Sequence, residues 1–176
     1  ACGFGFPLVM MESPLMFEAL ITPRQTALVF SGREIRAIHT DGREHPAPED
    51  LFPTFWGHSI GHWEGDTLVI DTVGVQSPVV PPSVPVVPVF LWASDNAGEI
   101  LVLLSNQAHY TERMRLLDDG RLENRITIDD PATLSQPWQL TMHYRRATGI
   151  DYIIHEDCAG NDRNPVVNGL YTFKHS

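Results

Sequence analysis

Residues 56–72 contain the side chains best suited to proton transfer, and the segment reads Trp-Gly-His-Ser-Ile-Gly-His-Trp-Glu-Gly-Asp-Thr-Leu-Val-Ile-Asp-Thr. An imidazole exchanges its proton near neutral pH, and a carboxylate beside it fixes the ring's orientation and stabilises its charged form. His62 and Asp71 are predicted to form such a pair, with His62 as the base and Asp71 orienting it. The alternative interpretation is that both are ordinary polar residues of an exposed strand.

His58 and His62 also have the HxxxH spacing, which on a helix places two imidazoles where one zinc ion can bind both. On a strand, four residues span about 13 Å, whereas zinc requires each nitrogen within about 2.1 Å. The glycine before each histidine disfavours a helix. A shared metal is therefore not expected and no cofactor is indicated, although a metal held by one of these histidines with His109 or His143 stays open.

A second group of candidate residues reads His-Tyr-Thr-Glu-Arg at positions 109–113. His109 could be a second acid or base, and Arg113 or Arg125 could hold an anionic or carbonyl group of a substrate. The same charges could instead form a salt-bridge ladder across an exposed sheet. The candidate catalytic residues are His58, His62, Asp71, His109, Glu112 and Arg113, and the candidate substrate-binding residues are Trp56, Trp63, Tyr110, Arg125 and Trp138. The tryptophans could equally be core residues, and no role is assigned to His39 or His45.

Short β-strands are predicted to position these residues, because runs rich in β-branched and aromatic residues alternate with turn residues. The runs are residues 15–22, 26–30, 34–40, 54–63, 67–73, 100–104, 109–117, 122–128, 139–145 and 151–156. No apolar period of 3.6 residues persists for three turns, which excludes parallel α/β folds with their crossover helices. An all-β antiparallel meander of about 8–10 strands is expected, as a lipocalin-like (calycin-type) up-and-down barrel or, alternatively, a β-sandwich.

Two hairpins can be registered from their turns. A two-residue turn at Gly65-Asp66 pairs residue 63 with 68, 62 with 69, 61 with 70 and 60 with 71. His58, His62 and Asp71 then share one face, and His62 and Asp71 are diagonal neighbours.

The second hairpin is expected to turn at Asp119-Gly120, also with two residues. One face then carries His109, Thr111, Arg113, Asn124 and Ile126, and the other carries Tyr110, Glu112, Met114, Glu123 and Arg125. A slip of one residue would exchange these faces.

The chain has 176 residues, with 12 Lys and Arg against 22 Asp and Glu and a formal net charge of −10. This length fits one β-rich domain, residues 1–176, around a single hydrophobic core. The acidic balance argues against nucleic acid as a partner. No apolar run reaches the roughly 20 residues of a membrane helix. A small molecule in a cavity of the β-rich domain is the expected partner.

The loop at 78–92 has an unusual composition, because residues 78–88 read Pro-Val-Val-Pro-Pro-Ser-Val-Pro-Val-Val-Pro. The prolines exclude a helix or a central strand, and the valines are too apolar for a solvated linker. This loop is predicted to pack as a lid over the barrel or to contact another subunit.

Several longer segments also carry specific patterns: residues 2–7, 38–46, 57–72, 109–113, 126–131, 156–158 and 161–165. They resemble a family of uncharacterised, usually exported bacterial proteins, common in soil bacteria, with the motif G-H-S-x-G-x-W-E-G-D-T-L-V-x-D-T. The resemblance spans most of the chain and implies an exported β-rich domain, periplasmic or secreted, without implying an activity. It favours a disulfide between Cys2 and Cys158, which the residues alone leave as either a bridge or two free thiols. The Pro-Val loop departs from the family, where a polar segment with Asp and Trp is usual.

Two classes of function follow from the sequence. The first is a metal-independent acid/base enzyme, a lyase, isomerase or hydrolase, acting on a partly apolar or aromatic small molecule. The second is a ligand-binding or assembly subunit that uses the cavity or the Pro-Val loop without chemistry.

Overall fold

β-strands are the regular elements of the computed structural model, which describes residues 16–30, 35–76 and 104–149 and the backbone of four further two-residue strands. The strands are β1 (Phe17–Ile21), β2 (Gln25–Phe30), β3 (Ile35–His39), β4 (His58–Glu64), β5 (Thr67–Val73), β6 (Phe90–Leu91), β7 (Ile100–Leu101), β8 (His109–Leu116), β9 (Leu122–Asp129), β10 (Trp138–Tyr144), β11 (Val166–Val167) and β12 (Leu170–Tyr171). The described parts of the chain contain no helix, and therefore none that is long and apolar enough to cross a membrane. The all-β prediction is confirmed.

Eight strands form one sheet in the order β1-β2-β3-β4-β5-β8-β9-β10, which curls into a half-barrel. Strands β6 and β7 pair with each other, as do β11 and β12. The neighbours in the large sheet are antiparallel except β3 and β4, which run parallel with Ile38 opposite Ser59. The expectation of an antiparallel meander is wrong at this step. A parallel neighbour requires a crossover connection, and residues 40–57 provide it.

Alternating burial along the strands explains why these residues form a sheet with two different faces. In β2 the pattern is strict, with Thr26, Leu28 and Phe30 buried and the residues between them only partly so. We call the face that carries Leu28, Phe30 and Ser59 the inner face, and the face that carries His58 and Asp71 the outer face. The core lies on the inner face and consists of Leu28, Phe30, Ile38, Leu68, Ile70, Val75, Ala108, Tyr110, Met114, Ile126 and Ile128.

The curl of the sheet brings its two edge strands together at one end. The ring of Phe17 on β1 lies 5.2 Å from the ring of Tyr144 on β10, edge to face. Phe17 also contacts Phe30 on the neighbouring strand, with the ring centroids 5.6 Å apart. These aromatic contacts join the first and last strands of the sheet across the inner face.

The β4–β5 hairpin has the predicted register, with His62 opposite Val69 and Ile60 opposite Asp71. The two-residue turn is made possible by Gly65, whose φ of 62° lies in the left-handed region that favours glycine. The outer face of this hairpin therefore carries His58, Ile60 and His62 next to Val69 and Asp71, as the sequence predicts.

The predicted register of the β8–β9 hairpin is wrong by one residue. Arg113 lies opposite Arg125 rather than Ile126, and Glu112 lies opposite Ile126. The loop has three residues instead of two, because the amide of Gly120 bonds the carbonyl of Leu117 at 2.9 Å and the amide of Leu117 bonds the carbonyl of Arg121 at 2.8 Å. Gly120, at φ 79°, supplies the left-handed residue that follows the turn in such loops.

The shift of one residue exchanges the faces of the β9 side chains. Asn124 and Ile126 join Tyr110, Glu112 and Met114 on the inner face, while Glu123 and Arg125 lie on the outer face with Arg113.

Some sequence predictions fall on residues outside the described ranges. These are the Cys2–Cys158 disulfide, the loop at 78–92 apart from the paired backbone of residues 90–91, and the strand at 151–156. They stay predictions, as does the single-domain organisation.

Candidate functional site

The outer face of β4, β5 and β8 carries a solvent-open depression of about 540 Å³. It is lined by residues 42–45 of the β3–β4 loop, residues 60–62 of β4, Val69 and Asp71 of β5, and Thr111 of β8. Its apolar lining comes from strand residues such as Ile60 and Val69, and its polar groups include Arg43 and His45 from the loop. The volume lies within the range of about 300–1,000 Å³ that is usual for small-molecule sites.

Asp71 is bonded by two imidazoles from different parts of the chain. Nε2 of His45 lies 2.7 Å from Oδ1 of Asp71, and Nε2 of His109 lies 2.9 Å from Oδ1 and 2.8 Å from Oδ2. A carboxylate only accepts hydrogen bonds. Both Nε2 atoms must therefore carry the proton that is donated to Asp71, which fixes the tautomer of each neutral ring.

A third histidine extends this arrangement. Nδ1 of His45 lies 2.8 Å from Nδ1 of His58. Because Nε2 of a neutral His45 carries the proton, its Nδ1 accepts and Nδ1 of His58 donates. Nε2 of His58 then holds a lone pair. We call the connected residues His58, His45, Asp71 and His109 the histidine–aspartate network.

Strand register explains how three members of this network meet on one face. Asp71 lies opposite Thr111, and His109 precedes Thr111 by two residues, so it has the same orientation on β8. His58 lies two residues before Ile60, the partner of Asp71 on β4. His58 and His109 therefore each lie two residues from the strand partner of Asp71, on the same outer face of three neighbouring strands.

The crossover loop supplies the fourth member, His45, and is anchored where it joins the sheet. The amide of Thr54 bonds the carbonyl of Gly74 at 3.0 Å, and Thr54 in turn accepts from the amide of Gln76 at 2.7 Å. Gly57, at φ 65°, lies so close to the neighbouring strand that a Cβ would stand 2.5 Å from the carbonyl oxygen of Val73. The end of the loop is thereby held against β5.

Burial lowers the pKa of His58 below its ordinary value, and the nearby charges of His45, His39 and Arg43 lower it further. Burial also lowers the pKa of His39, with a further contribution from Arg43 that Asp41 opposes. The ring of His39 lies 5.5 Å from that of His58. His58 is consequently neutral near neutral pH, as the inferred tautomers require.

The network has hydrogen-bond geometry rather than metal-ligand geometry. In ranges 16–30, 35–76 and 104–149, no group of three His, Cys, Asp or Glu is arranged to hold a metal ion. Each nitrogen of His45 already has a partner, at 2.7 Å and 2.8 Å. The arrangement can hold and pass protons.

Of the predicted catalytic residues, the structure brings Asp71 and His109 into direct contact and joins His58 to them through His45. His62 lines the same depression, but its Nε2 lies 3.2 Å from Glu64 Oε1, and its side chain is exposed. The prediction that His62 is the partner of Asp71 is therefore wrong. His45 from the loop takes the position beside Asp71, while His62 turns toward the end of its own strand.

Glu112 and Tyr110 lie on the inner face, away from the depression. Glu112 is fully buried and pairs with Arg36. Tyr110 is a core residue, and burial raises its pKa, so the hydroxyl stays protonated. Neither side chain is placed to contact a molecule on the outer face.

The predicted tryptophans also lie away from the depression. The ring of Trp56 stacks on Phe30, with the centroids 4.9 Å apart, and Trp138 packs against the core. Trp63 lies opposite the buried Leu68 on the inner side of the hairpin, near its exposed end.

Arg113 and Arg125 have exposed side chains that form salt bridges on the outer face. Arg113 lies 2.7 Å from Glu64, and Arg125 lies 3.0 Å from Glu123, which Arg115 also contacts at 3.0 Å. Their guanidinium groups already have carboxylate partners.

Sequence reasoning missed His45 and Arg43. Both follow the Asp41-Gly42 turn signal, but the contact of His45 with Asp71 depends on the path of a long loop that no strand register determines. The one sequence feature that could have pointed to His45 is its position just after a turn, within the specific pattern of residues 38–46. No family model, curated protein or solved structure matches the chain.

Proposed function

We propose that this protein is an acid/base enzyme that transfers a proton to or from a small, partly apolar molecule bound in the depression. A lyase or isomerase requires such a step, and a hydrolase would use the same base to activate water. The observation that carries the proposal is the Asp71 carboxylate, which lines the depression and holds two imidazoles through their Nε2 atoms.

His109 is the proposed proton-transferring residue. His109 does not itself line the depression but borders it through its bonds to Asp71, which does. Its side chain is 45% exposed, and donation from Nε2 to Asp71 leaves the lone pair of the neutral ring on Nδ1. A carboxylate that orients an imidazole in this way also stabilises the imidazolium formed when the ring takes a proton. Asp71 therefore supports both halves of a proton-transfer cycle.

His45 and His58 are proposed as positioning residues. His45 is only 20% exposed and uses both ring nitrogens inside the network, so it holds Asp71 in place. His58, kept neutral by burial, donates its Nδ1 proton to Nδ1 of His45 and so holds that ring in position. The role of base, which the sequence predicts for His62, is proposed here for His109.

The wider setting of the site is part of the proposal. We infer that the half-barrel belongs to a lipocalin-like up-and-down barrel, which is supported by the consecutive strand order and by the Phe17–Tyr144 contact between the edge strands. The parallel pairing of β3 and β4 differs from an up-and-down barrel, in which neighbouring strands are antiparallel. Membership of the exported bacterial family, with a Cys2–Cys158 bridge, is proposed on the sequence motifs alone.

Deuterium exchange tests the proton transfer without knowledge of the natural substrate. Small aromatic and aliphatic carbon acids would be incubated with the protein in D2O, and C–H to C–D exchange followed by NMR. Wild type should accelerate exchange for a subset of the compounds, and His109→Gln should lower that rate by at least about 100-fold, the lower end for a lost general base. p-Nitrophenyl esters test the hydrolase form in parallel.

His62→Gln is the matched control, because His62 lines the depression itself and is bonded to an exposed carboxylate, Glu64, instead of to Asp71. Its exchange rate should equal that of wild type. Loss of exchange in His62→Gln with full activity in His109→Gln would overturn the assignment. Saturable binding of these compounds without any exchange or hydrolysis would instead identify a ligand-binding protein.

A further inference from the structure

Arg43 presents one edge of its guanidinium to a carboxylate of its own loop. Nε of Arg43 donates to Oδ1 of Asp41 at 2.9 Å, and Nη2 donates to Oδ2 at 2.7 Å. A guanidinium has five N–H donors in a fixed planar arrangement, so this pair leaves Nη1 and the second hydrogen of Nη2. Among the described residues no acceptor is bonded to Nη1.

Arg43 lines the depression, next to the histidine–aspartate network. Its side chain is 46% exposed, so a bound molecule can reach it. Arg24 contacts the same carboxylate at 3.5 Å, but it is 82% exposed and does not line the depression. Two guanidinium groups thus share one carboxylate, and Arg43 is the one of the two that lines the depression.

We propose that the outer edge of Arg43 binds the carboxylate of the substrate. The substrate class is then a small, partly apolar carboxylic acid, with its carboxylate on Arg43 and its apolar part on Ile60 and Val69. Two parallel N–H···O bonds to a planar carboxylate give both direction and affinity. The identification of this molecule as a substrate rests on the proposed function, whereas its binding does not.

Asp41 acts as a positioning residue for this anchor. The Arg43 guanidinium beside it holds the pKa of the Asp41 carboxyl well below its usual value, so Asp41 stays ionised and bonded across the neutral range. A side chain already fixed in one orientation loses less conformational freedom when it binds. Glu44 lines the same depression with a charge that opposes an anion.

Binding can be measured by NMR with phenylacetate as the probe and phenylacetamide as its uncharged match. The ring signals of His45 and His58 report whether the probe is bound. His45 lines the depression, and His58 is bonded to His45. We expect saturable shifts with phenylacetate, and binding at least about tenfold weaker for the amide. Arg43→Gln should weaken phenylacetate binding by at least about tenfold, and Arg43→Lys by less, because lysine keeps the charge but not the paired donors.

Arg24→Gln is the matched control, since it removes the same charge from the same carboxylate outside the depression. Its affinity for phenylacetate should equal that of wild type, and Glu44→Gln should bind slightly more tightly. Equal binding of the acid and the amide, or an equal loss in Arg24→Gln and Arg43→Gln, would overturn the anchor. If phenylacetate binds as expected but no carbon acid exchanges deuterium, the anchor stands and the proposed enzyme falls.

Discussion

Strands β4, β5 and β8 carry a polar cluster on each face, and the two clusters differ in their access to water. On the inner face, Arg36 contacts Glu112, Ser59 and Thr72, and Asn124 donates to Glu112 at 2.7 Å. All five residues are buried. We call them the buried arginine network. Its charged groups are matched inside the protein and have no contact with solvent.

On the outer face, the histidine–aspartate network stands one residue away along β4 and β5. His58 precedes Ser59, and Asp71 precedes Thr72. Asp71 remains 36% exposed and His109 45% exposed. A single step along a strand thus separates a group that stabilises the fold from one that can exchange protons, because alternate side chains point to opposite faces. Burial, more than residue type, assigns the two roles.

The largest expected effect is on the inner face. Glu112→Gln leaves the guanidinium of Arg36 without its countercharge in a buried position, and breaking a buried pair in this way costs about 3–5 kcal/mol of unfolding free energy. Urea denaturation measures it. Glu64→Gln removes an exposed carboxylate from Arg113 and is the control, with an unchanged midpoint. A wild-type midpoint for Glu112→Gln would erase the distinction between the two faces.

Asp71→Asn, on the outer face, should lower activity and leave stability nearly unchanged. An asparagine has one carbonyl oxygen where the carboxylate has two, and its N–H2 group would face an imidazole N–H. The deuterium-exchange rate is therefore expected to fall by at least about 100-fold, with the urea midpoint close to that of wild type. A variant that unfolds easily and keeps the activity of its folded fraction would show that Asp71 is structural.

A smaller effect is expected in the pH dependence of stability. A histidine with a lowered pKa in the folded state binds fewer protons than in the unfolded chain, so unfolding free energy falls as the pH drops below the ordinary value of 6.5. Below the lowered pKa the contribution levels off. His58→Gln should flatten this acid-side slope, and the His58 ring of the folded wild-type protein should titrate below 6.5 because burial disfavours its charged form. NMR titration of the His58 ring measures this pKa, and a value at or above 6.5 would contradict it.

Local turn chemistry made part of this site predictable. Gly65-Asp66 closes a two-residue turn, and the sequence therefore gave the β4–β5 register and the shared face of His58 and Asp71. At Asp119-Gly120 the same reasoning failed by one residue, because a three-residue loop ending in a left-handed glycine also fits these residues. That slip grouped Glu123 and Arg125 with Tyr110 and Glu112 and separated Asn124 from them.

The position of His45 could not be obtained from periodicity. It lies in an irregular crossover whose path depends on contacts distant in sequence, such as Thr54 with Gly74. The parallel pairing of β3 and β4 could not be predicted either, because the residue pattern of a strand does not show whether it runs parallel or antiparallel to its neighbour. The sequence therefore predicted Asp71 and His109 as site residues, but it paired Asp71 with His62. It did not predict His45, the residue that links Asp71 to His58.

The tautomers of the three imidazoles are the property that the histidine–aspartate network determines most strictly. Long-range ¹H–¹⁵N NMR of ¹⁵N-histidine-labelled protein, at a pH where the rings are neutral, distinguishes Nδ1–H from Nε2–H in each ring. The network requires Nε2–H in His45 and His109 and Nδ1–H in His58, with the His45 and His109 signals changed in Asp71→Asn. A proton on Nδ1 of His109, or signals of His45 and His109 that ignore Asp71→Asn, would contradict the histidine–aspartate network and the acid/base function built on it.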